Sequence, residues 1–445
     1  MKIQLSDHFT YRRLLQFTVS PILMMVCTSL YSIIDGFFVS NFVGKTAFAA
    51  VNLYMPLMMG LGAFGFMVGA GGSAIISSAY GAGKQKLANR YFSMLIYLTI
   101  GFGVIVSIFG FIFMRPISVW LGATGALIDY CVVYGRILLI SQTVFMLQNV
   151  FQNFLIAAEK PSLSLKISVA AGVTNAVLDF LFIVVFSWGI AGAAAATAIG
   201  QFVGGIIPLV YFARKNDSWL RLGATQFYPR ILLKTCTNGS SELMTNLSMS
   251  LVNILYNYQL LRFAGENGVA AYGVIMYAAF LFVAVFVGYA VGSAPIVSYH
   301  YGARNHAELN NLYSKSLRLI GVIAVVMTAL SMLVIPYVAR IFVGYDAELL
   351  ALTSHAFRVY ALNFFLMGFN VYGSSFFTAL GDGVTSALIS FLRTLLFQLL
   401  ALIFLPMVLG IEGVWLAVTA AEAGALCVTV LMFLRKDKVF HYRKA

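Results

Sequence analysis

The chain has 445 residues, of which 61% are hydrophobic and 10% are charged, and its mean hydropathy is +0.91. Soluble domains are roughly 45–50% apolar and about 25% charged, so the composition excludes a soluble enzyme. The net charge is +13, and the basic residues lie mainly in short loops between apolar segments. This distribution does not indicate a nucleic-acid-binding surface. We therefore expect a protein that crosses the lipid bilayer many times and binds no nucleic acid.

Twelve apolar segments follow one another along the chain, each long enough for the about 20 residues that a spanning helix needs. They lie near 14–41, 46–80, 91–114, 126–158, 167–187, 190–213, 237–261, 267–301, 319–339, 349–380, 384–409 and 413–434. Their apolar runs are continuous, which favours helices over alternating barrel strands. Most Lys and Arg fall in the loops of one side, so the positive-inside rule places both termini in the cytoplasm. We expect a multi-pass protein of the inner (cytoplasmic) membrane.

The second half of the chain repeats the first at a constant offset. Tyr80-Gly81-Ala82 recurs as Tyr301-Gly302-Ala303, each time at the end of the second segment of its half. This pattern predicts an all-α fold of two six-helix bundles related by a pseudo-twofold axis along the membrane normal. The predicted units are an N-terminal lobe over 1–213, a cytoplasmic linker loop over 214–236 and a C-terminal lobe over 237–445.

Two parallel bundles that rock around a central cavity are typical of secondary transporters. No phosphate-binding P-loop motif is present, so we do not expect the chain to hydrolyse ATP. The histidines lie at segment ends or tails and the cysteines stand singly, which argues against a catalytic or metal-ligating set. We expect no enzyme activity and no cofactor beyond a coupling ion. The expected partners are small organic substrates and the lipid bilayer, and we expect a monomer.

Charged side chains inside a bilayer cost at least ~2.5–3.5 kcal/mol on insertion scales, so each one needs a reason. Asp35, Asp179 and Thr197 fall at similar depths when the helical rise of each residue is counted from the segment ends. Asn175 lies one turn before Asp179 on the same face. Two carboxylates, an amide and a hydroxyl suit Na⁺ or a shared proton. The alternative is a network that only holds helices together.

The internal repeat favours the specialised role. At the repeat offset, Asp35 corresponds to Tyr256. Asp179 corresponds to Leu400, and Thr197 corresponds to Val418. The fold is duplicated but the polar cluster is not, whereas a purely architectural network would be expected in both halves.

A second set of candidate residues lies on the seventh segment, where one helical face carries Glu242, Asn246, Met249, Asn253 and Tyr256. A carboxylate beside amides, a thioether and an aromatic ring could hold a lipophilic cation. The alternative is a packing face with a glutamate that reaches the cytoplasm.

Further polar residues inside the segments leave more alternatives open. Phe145 and Asn149 form a polar and aromatic face of the fourth segment, which we expect to line the cavity. Arg136 is expected to be structural, with Asp129 as its partner. Arg393 and Glu422 could pair with each other or line the cavity. Pro21 removes a helix hydrogen bond and permits a bend in the first helix.

Several of these residues and motifs occur in an order that resembles the multidrug and toxic compound extrusion (MATE) transporters. They are Pro21, Asp35, Tyr80-Gly81-Ala82-Gly83, Glu159-Lys160-Pro161, Asn175, Asp179, Thr197 and Glu242. The resemblance covers nearly the whole chain and implies a V-shaped pair of six-helix lobes. It also implies that Asp35, Asn175, Asp179 and Thr197 form a cation site, which a backbone carbonyl near Ala193 could complete. In place of a tenth-helix carboxylate found in some branches, the nearest polar residue here is Asn370.

The function that we expect is secondary active multidrug efflux, in which organic, often lipophilic cationic compounds leave in exchange for inward H⁺ or Na⁺. The alternative is a flippase for lipid-linked oligosaccharides or other amphipathic lipid precursors. A flippase cavity would need several Arg or Lys residues to meet a pyrophosphate, whereas the best candidate sites here are acidic. The coupling ion stays open because both ions bind carboxylates.

Overall fold

The computed structural model describes residues 3–344 and 346–443, apart from the side chains of Lys45 and Ser250. Every regular element within those residues is helical. The helices of the first half are α1 (Tyr11–Phe38), α2 (Lys45–Gly81), α3 (Gln85–Trp120), α4 (Ala126–Ala157), α5 (Pro161–Asp179) and α6 (Gly189–Ala213). Turns of π-helix extend α1 over Val39–Val43 and α5 over Phe180–Val185.

The second half begins with a 74-residue helical stretch, Pro229–Gly302, that is broken at Gly265. The backbone angles there, φ 59° and ψ −149°, are accessible at low cost only to glycine. We name the two parts α7 (229–264) and α8 (266–302). The remaining helices are α9 (His306–Val343), the bent pair α10 (Ala347–Ala361 and Phe364–Ala379), α11 (Gly383–Leu409, with a π turn at Leu392–Leu396) and α12 (Ile411–Phe440).

Ten helices of the described residues are long and apolar enough to cross a membrane, or eleven if the pair bent by 46° counts as one span. The 74-residue stretch counts once in that number, although each of its two parts exceeds the about 20 residues of a span. The twelve predicted segments are therefore all helical, and the predicted all-α polytopic class with two six-helix bundles is confirmed.

The largest difference from the predicted segments concerns α7. This helix begins at Pro229, inside the stretch 214–236 that was predicted as linker loop. Proline at the first helical position explains the early start, because its fixed φ suits a helix and its missing N–H is not needed there. Glu242 consequently lies more than three turns, or about 20 Å, inside the helix rather than near its inner end. The bounds of the two lobes stay predictions.

The first and last of the described residues lie at the same end of the bundle, which we call the terminal end. Phe9 N–H donates to Glu308 at the start of α9, and Asn310 Nδ2 in the same helix donates to the Arg443 carbonyl. The other end is called the opposite end. The apolar side chains of the two halves form separate buried clusters, while one further cluster joins α1 with α8 and α9 at the terminal end.

The two lobes touch at the terminal end through glycines of the repeated tripeptide. A Cβ placed on Gly81 would lie 2.0 Å from the carbonyl oxygen of Tyr299. A Cβ placed on Gly302 would lie 2.0 Å from the carbonyl oxygen of Ser78. These two contacts are related by the internal repeat, in which Gly81 and Gly302 are equivalent. Only glycine permits so close a backbone approach, so the repeated motif forms one of the contacts between the lobes.

Candidate functional site

Two acidic residues lie directly before the π turns of the first half. Asp35 is in the last turn of α1, before Val39–Val43, and Asp179 is the final residue of α5, before Phe180–Val185. Turns of π-helix occur frequently at functional sites because they interrupt the regular backbone hydrogen-bond pattern. The two π turns pack against each other and against α6, so the acids of α1 and α5 are drawn to one place.

The three side chains that the sequence matched in depth lie together in the structure, and so does Asn175, which was placed on the same face as Asp179. Thr197 Oγ1 donates to Asp35 Oδ1 at 3.3 Å, and Asn175 Nδ2 donates to Thr197 Oγ1 at 3.5 Å. The Asp179 carboxyl group lies beside that of Asp35. Asp35 is 5% exposed, Asn175 2% and Asp179 0%, whereas Thr197 is half-buried, so the two acids and the amide are enclosed by protein.

Three oxygens of this group have no hydrogen-bond donor among the described residues. They are both carboxylate oxygens of Asp179 and Oδ1 of Asn175. Buried polar atoms are nearly always satisfied, and two adjacent buried carboxylates repel each other strongly in a low dielectric. A proton or a hard monovalent cation would relieve both problems, since such cations prefer oxygen ligands.

Ala193 lies one turn before Thr197 on α6 and is fully buried in an apolar cluster with Val39, Ile183 and Ile190. That cluster keeps the carboxylates in a low dielectric. The Ala193 carbonyl belongs to a continuous helix, in which the N–H four residues later is its regular partner. Its role as an additional ligand stays a prediction.

The predicted cavity face of α7 is only partly open. Met249 is 40% exposed and Asn253 is exposed, with its Oδ1 accepting from the Tyr272 hydroxyl at 2.9 Å. Asn246 and Glu242 are half-buried, and Asn246 Nδ2 donates to the Glu242 carbonyl. These four residues form a continuous accessible strip, which we call the α7 strip.

Other residues predicted to line the cavity are buried in this structure, because helical spacing defines a face but not its neighbours. Tyr256 is 2% exposed and its ring stacks on Tyr272 at a centroid distance of 4.8 Å. Asn370 is fully buried. Phe145 and Asn149 on α4 are 7% and 9% exposed and pack against glycines of α2. The structure thus places these four residues away from open space.

The structure also shows the partners of the charged residues for which the sequence left alternatives. Arg393 Nε lies 3.0 Å from Glu422 Oε1, so the two residues pair. The expected pairing of Arg136 with Asp129 is wrong: Arg136 lies over the Phe111 ring at 5.2 Å, and Asp129 pairs with Arg115 at 3.4 Å. Asp129 and Arg136 lie two turns apart on α4, whereas Arg115 at the end of α3 reaches the first turn of α4 directly.

Two repeated six-helix lobes, a buried carboxylate pair in one lobe and a polar strip in the other define a polytopic membrane transporter. The family model MatE matches residues 21–181 and again 243–403, so the two matches reproduce the internal repeat. The chain therefore belongs to the MatE family of multidrug and toxic compound extrusion transporters.

Individual relatives agree with this assignment. The chain is 22% identical to the multidrug export protein MepA of Staphylococcus saprophyticus over 434 residues, which is 96% of this chain and 95% of that protein. It matches the crystal structure of a MATE protein in complex with MaL6 at a TM-score of 0.92, with 25% identity over 98% of both chains. An outward-facing multidrug resistance MATE transporter matches equally well, at a TM-score of 0.92 and 25% identity, covering 98% of this chain and 97% of the other.

Proposed function

We propose that this chain is a secondary active antiporter that exports organic, often lipophilic cationic compounds in exchange for inward H⁺ or Na⁺. The observation that carries the proposal is the group of Asp35, Asn175, Asp179 and Thr197, in which the buried Asp179 oxygens accept no hydrogen bond from the described residues. The names of the relatives, a multidrug export protein and a multidrug resistance transporter, support an organic substrate. The terminal end, which carries the basic loops, then faces the cytoplasm.

The helix that couples the ion to the lobes in this proposal is α1. It carries Asp35 near the opposite end and Pro21 near the terminal end, about 21 Å apart along the helix. Pro21 contacts the other lobe, because a Cβ on Gly292 of α8 would lie 3.0 Å from Pro21 Cγ. A displacement of α1 at the ion site therefore reaches the interface of the lobes, and Pro21 lets the helix bend between the two places.

The transport step follows from charge. An ion that enters from outside binds at Asp35 and Asp179 and neutralises their repulsion, which draws α1 and α5 together. Substrate release is favoured if the ion binds the outward-open state more tightly than the inward-open state, since only differential affinity shifts a conformational equilibrium. Loss of the ion to the cytoplasm restores the repulsion and resets the cycle.

The test is efflux of a fluorescent lipophilic cation from everted membrane vesicles under separately imposed Na⁺ and proton gradients. Wild-type protein is expected to respond to one gradient, and Asp179→Asn is expected to lose that response by at least tenfold. Glu348→Gln is the matched control, because Glu348 is an exposed acid in the first turn of α10, in the other half of the chain. Transport that ignores both gradients would contradict antiport and would favour the flippase alternative.

A further inference from the structure

A cleft at the terminal end lies between the start of α7 and the turn that joins α10 to α11. It has a volume of about 270 Å³ and is lined by residues of 230–238 on one side and of 381–384 on the other. The two sides touch each other, because a Cβ placed on Gly383 would lie 2.3 Å from the Thr237 carbonyl oxygen. Lys436, near the end of α12, pairs with Asp382 Oδ2 at 2.7 Å, so the cleft lies at the same end of the bundle as the last residues of the chain.

The cleft carries more positive charge than its own acid balances. That acid is Asp382, and Lys436 already pairs with it. Arg230 and Lys234 line the cleft one helical turn apart on α7, and both side chains are exposed. Neither of them has a carboxylate oxygen within 4.0 Å among the described residues. Lys234 faces the turn, since a Cβ placed on Gly381 would lie 4.0 Å from Lys234 Nζ.

The first turn of α11 adds backbone donors to these two cations. The Thr385 N–H donates to Asp382 Oδ1, but the N–H groups of Gly383 and Val384 donate to none of the described residues. Free N–H groups and the helix dipole together favour an anion at the start of a helix. The cleft thus combines side-chain charge with unused backbone donors.

Asn238 provides an independent sign that the cleft takes a ligand. This residue lines the cleft and is 1% exposed. Its Nδ2 donates to the Thr378 carbonyl at 2.8 Å, which fixes the orientation of the amide, while its Oδ1 accepts from none of the described residues. Buried amide oxygens are nearly always satisfied, so a hydroxyl group of a ligand is the donor that is missing here.

The position of the cleft matches the headgroup level of a bilayer. The helix α11 has 27 residues and is about 40 Å long, whereas the hydrocarbon core is about 30 Å thick. Its first residues therefore reach the polar surface of the membrane. Leu233 and Val384, on opposite sides of the cleft, are 70% and 69% exposed, as expected for side chains that contact lipid.

We propose that this cleft binds the headgroup of an anionic phospholipid from the leaflet at the terminal end. The phosphodiester group lies between Arg230, Lys234 and the first N–H groups of α11, and a headgroup hydroxyl donates to Asn238 Oδ1. A glycerol headgroup supplies both the single negative charge and the hydroxyl. The acyl chains leave the cleft past Leu233 and Val384. This site is separate from the ion and substrate sites of the proposed antiporter.

The first test measures binding of phosphatidylglycerol to the full chain in nonionic detergent by native mass spectrometry. Each basic residue near an anionic membrane surface contributes about fivefold in affinity, so Arg230→Gln/Lys234→Gln should weaken the tightest lipid site about 25-fold. Lys84→Gln/Lys86→Gln is the matched control, because it removes the same charge from exposed residues at the start of α3. Equal weakening in both double variants would overturn the proposal, since it would show attraction by net charge without a site.

A second variant leaves both cations in place. Val384→Glu puts a carboxylate in the cleft, where it should repel the phosphodiester group and weaken phosphatidylglycerol binding at least fivefold. An acid in the first turn of a helix is favourable, so the fold should tolerate it. Val384→Gln, with the same shape and no charge, should bind as wild type does. Equal affinities of the two Val384 variants would overturn the proposal.

The nature of the ligand is tested on wild-type protein. Glycerol phosphate has the same charged group without acyl chains and should displace phosphatidylglycerol only at far higher concentrations. If it competes as an equal, the cleft is a site for a soluble anion and the lipid assignment is wrong. Phosphatidylmethanol has the same charge but no hydroxyl and should bind about fivefold or more weakly than phosphatidylglycerol, because Asn238 Oδ1 stays unsatisfied. Equal affinity for these two lipids would overturn the role of Asn238.

Discussion

The buried acids of this protein differ in how their oxygens are satisfied. Asp382 accepts from Lys436 and Thr385, Glu422 from Asn370 beside Arg393, and Glu308 from the Phe9 N–H. Asp179 is as deeply buried but accepts no hydrogen bond from any described residue. Acids that hold the structure together have protein partners, so the one without partners is the best candidate to take a ligand that comes and goes.

The sequence could place this group because the rise of a helix is constant. Depth counted from segment ends brought Asp35, Asp179 and Thr197 to one level, and the structure puts their side chains together. Depth counting cannot say which face of a helix meets which neighbour. That is why Tyr256, although in register with Glu242, turns out to be stacked against Tyr272.

Asp382 offers a residue-scale prediction on stability and pH. Burial raises the pKa of this carboxyl, but the bonds from Lys436 and Thr385 outweigh burial and hold its pKa below the usual value. Asp382→Asn keeps the cap on α11 but loses the charge, and is expected to cost about 1–2 kcal/mol of stability at pH 7.

The sign of its pH dependence follows from the lowered pKa. The stabilisation is present above the unfolded pKa of about 3.9 and is lost as pH falls through the folded value. Thermal unfolding of wild type and Asp382→Asn should therefore differ at pH 7 and converge below about pH 4. An equal difference at both pH values would show that the charge is not the cause. Asp129→Asn serves as the exposed control.

At the scale of elements, the residues before α1 are the least expected feature. We call residues 3–10 the N-terminal strap. Leu5 and Phe9 are fully buried, Leu5 N–H donates to Glu159 after α4, and Phe9 N–H donates to Glu308 in α9. The strap thus joins the two halves at the terminal end, where they would have to separate during transport.

Releasing one anchor of the strap gives an element-scale prediction. Glu308→Ala removes the acceptor of the Phe9 N–H and of Asn311 Nδ2. A hydrogen bond to a charged group contributes about 1.5–3 kcal/mol, so hydrogen exchange in the N-terminal peptide should become roughly 10- to 100-fold faster. Glu348→Ala, an exposed acid in the first turn of α10, should leave that peptide unchanged. Unaltered exchange in Glu308→Ala would mean that the strap is held by its apolar residues alone.

The elements themselves were predictable where apolar runs are long. The sequence placed the spanning segments because continuous apolar residues need a bilayer, but it missed the start of α7 because Arg230 and Lys234 look like loop. It also missed the π turns, since one extra residue per turn hardly changes the apolar pattern. The strap had only a weak signal, Leu5 and Phe9 four residues apart in an otherwise polar start.

At the scale of the whole molecule, the halves meet through pairs of glycines. Besides Gly81 and Gly302, a Cβ on Gly71 would lie 2.2 Å from the Thr235 carbonyl oxygen, and a Cβ on Gly239 would lie 2.0 Å from that of Met67. The sequence revealed that Tyr80-Gly81-Ala82 is repeated. It could not reveal that the two copies touch each other, because a repeat offset carries no information on the distance between the copies.

A methyl group at this contact should favour separation of the lobes. Gly81→Ala must displace the Tyr299 backbone, and overpacking of this kind costs about 1–3 kcal/mol. Spin labels at Arg90 on α3 and Arg318 on α9, in a background without the four native cysteines, should show a longer distance in a fraction of molecules at least about fivefold larger than in wild type.

The matched control is Gly101→Ala, because nothing lies within 4 Å of a Cβ at that position. It should leave the distance distribution as in wild type. If Gly81→Ala gave the same distance distribution as the wild type and Gly101→Ala, the glycine contact would not be what keeps the terminal end closed.

In the proposed transport cycle, Asp35 and Asp179 couple the ion to the substrate. The most direct measurement is uphill movement of H⁺ or Na⁺ in proteoliposomes, driven only by a gradient of an organic cation. Wild-type protein is expected to move one of these ions against its gradient. Asp35→Asn/Asp179→Asn should bind the organic cation through the other lobe but move no ion. Undiminished uphill ion movement by this variant, at equal protein amounts, would show that these two acids do not couple the ion to the substrate.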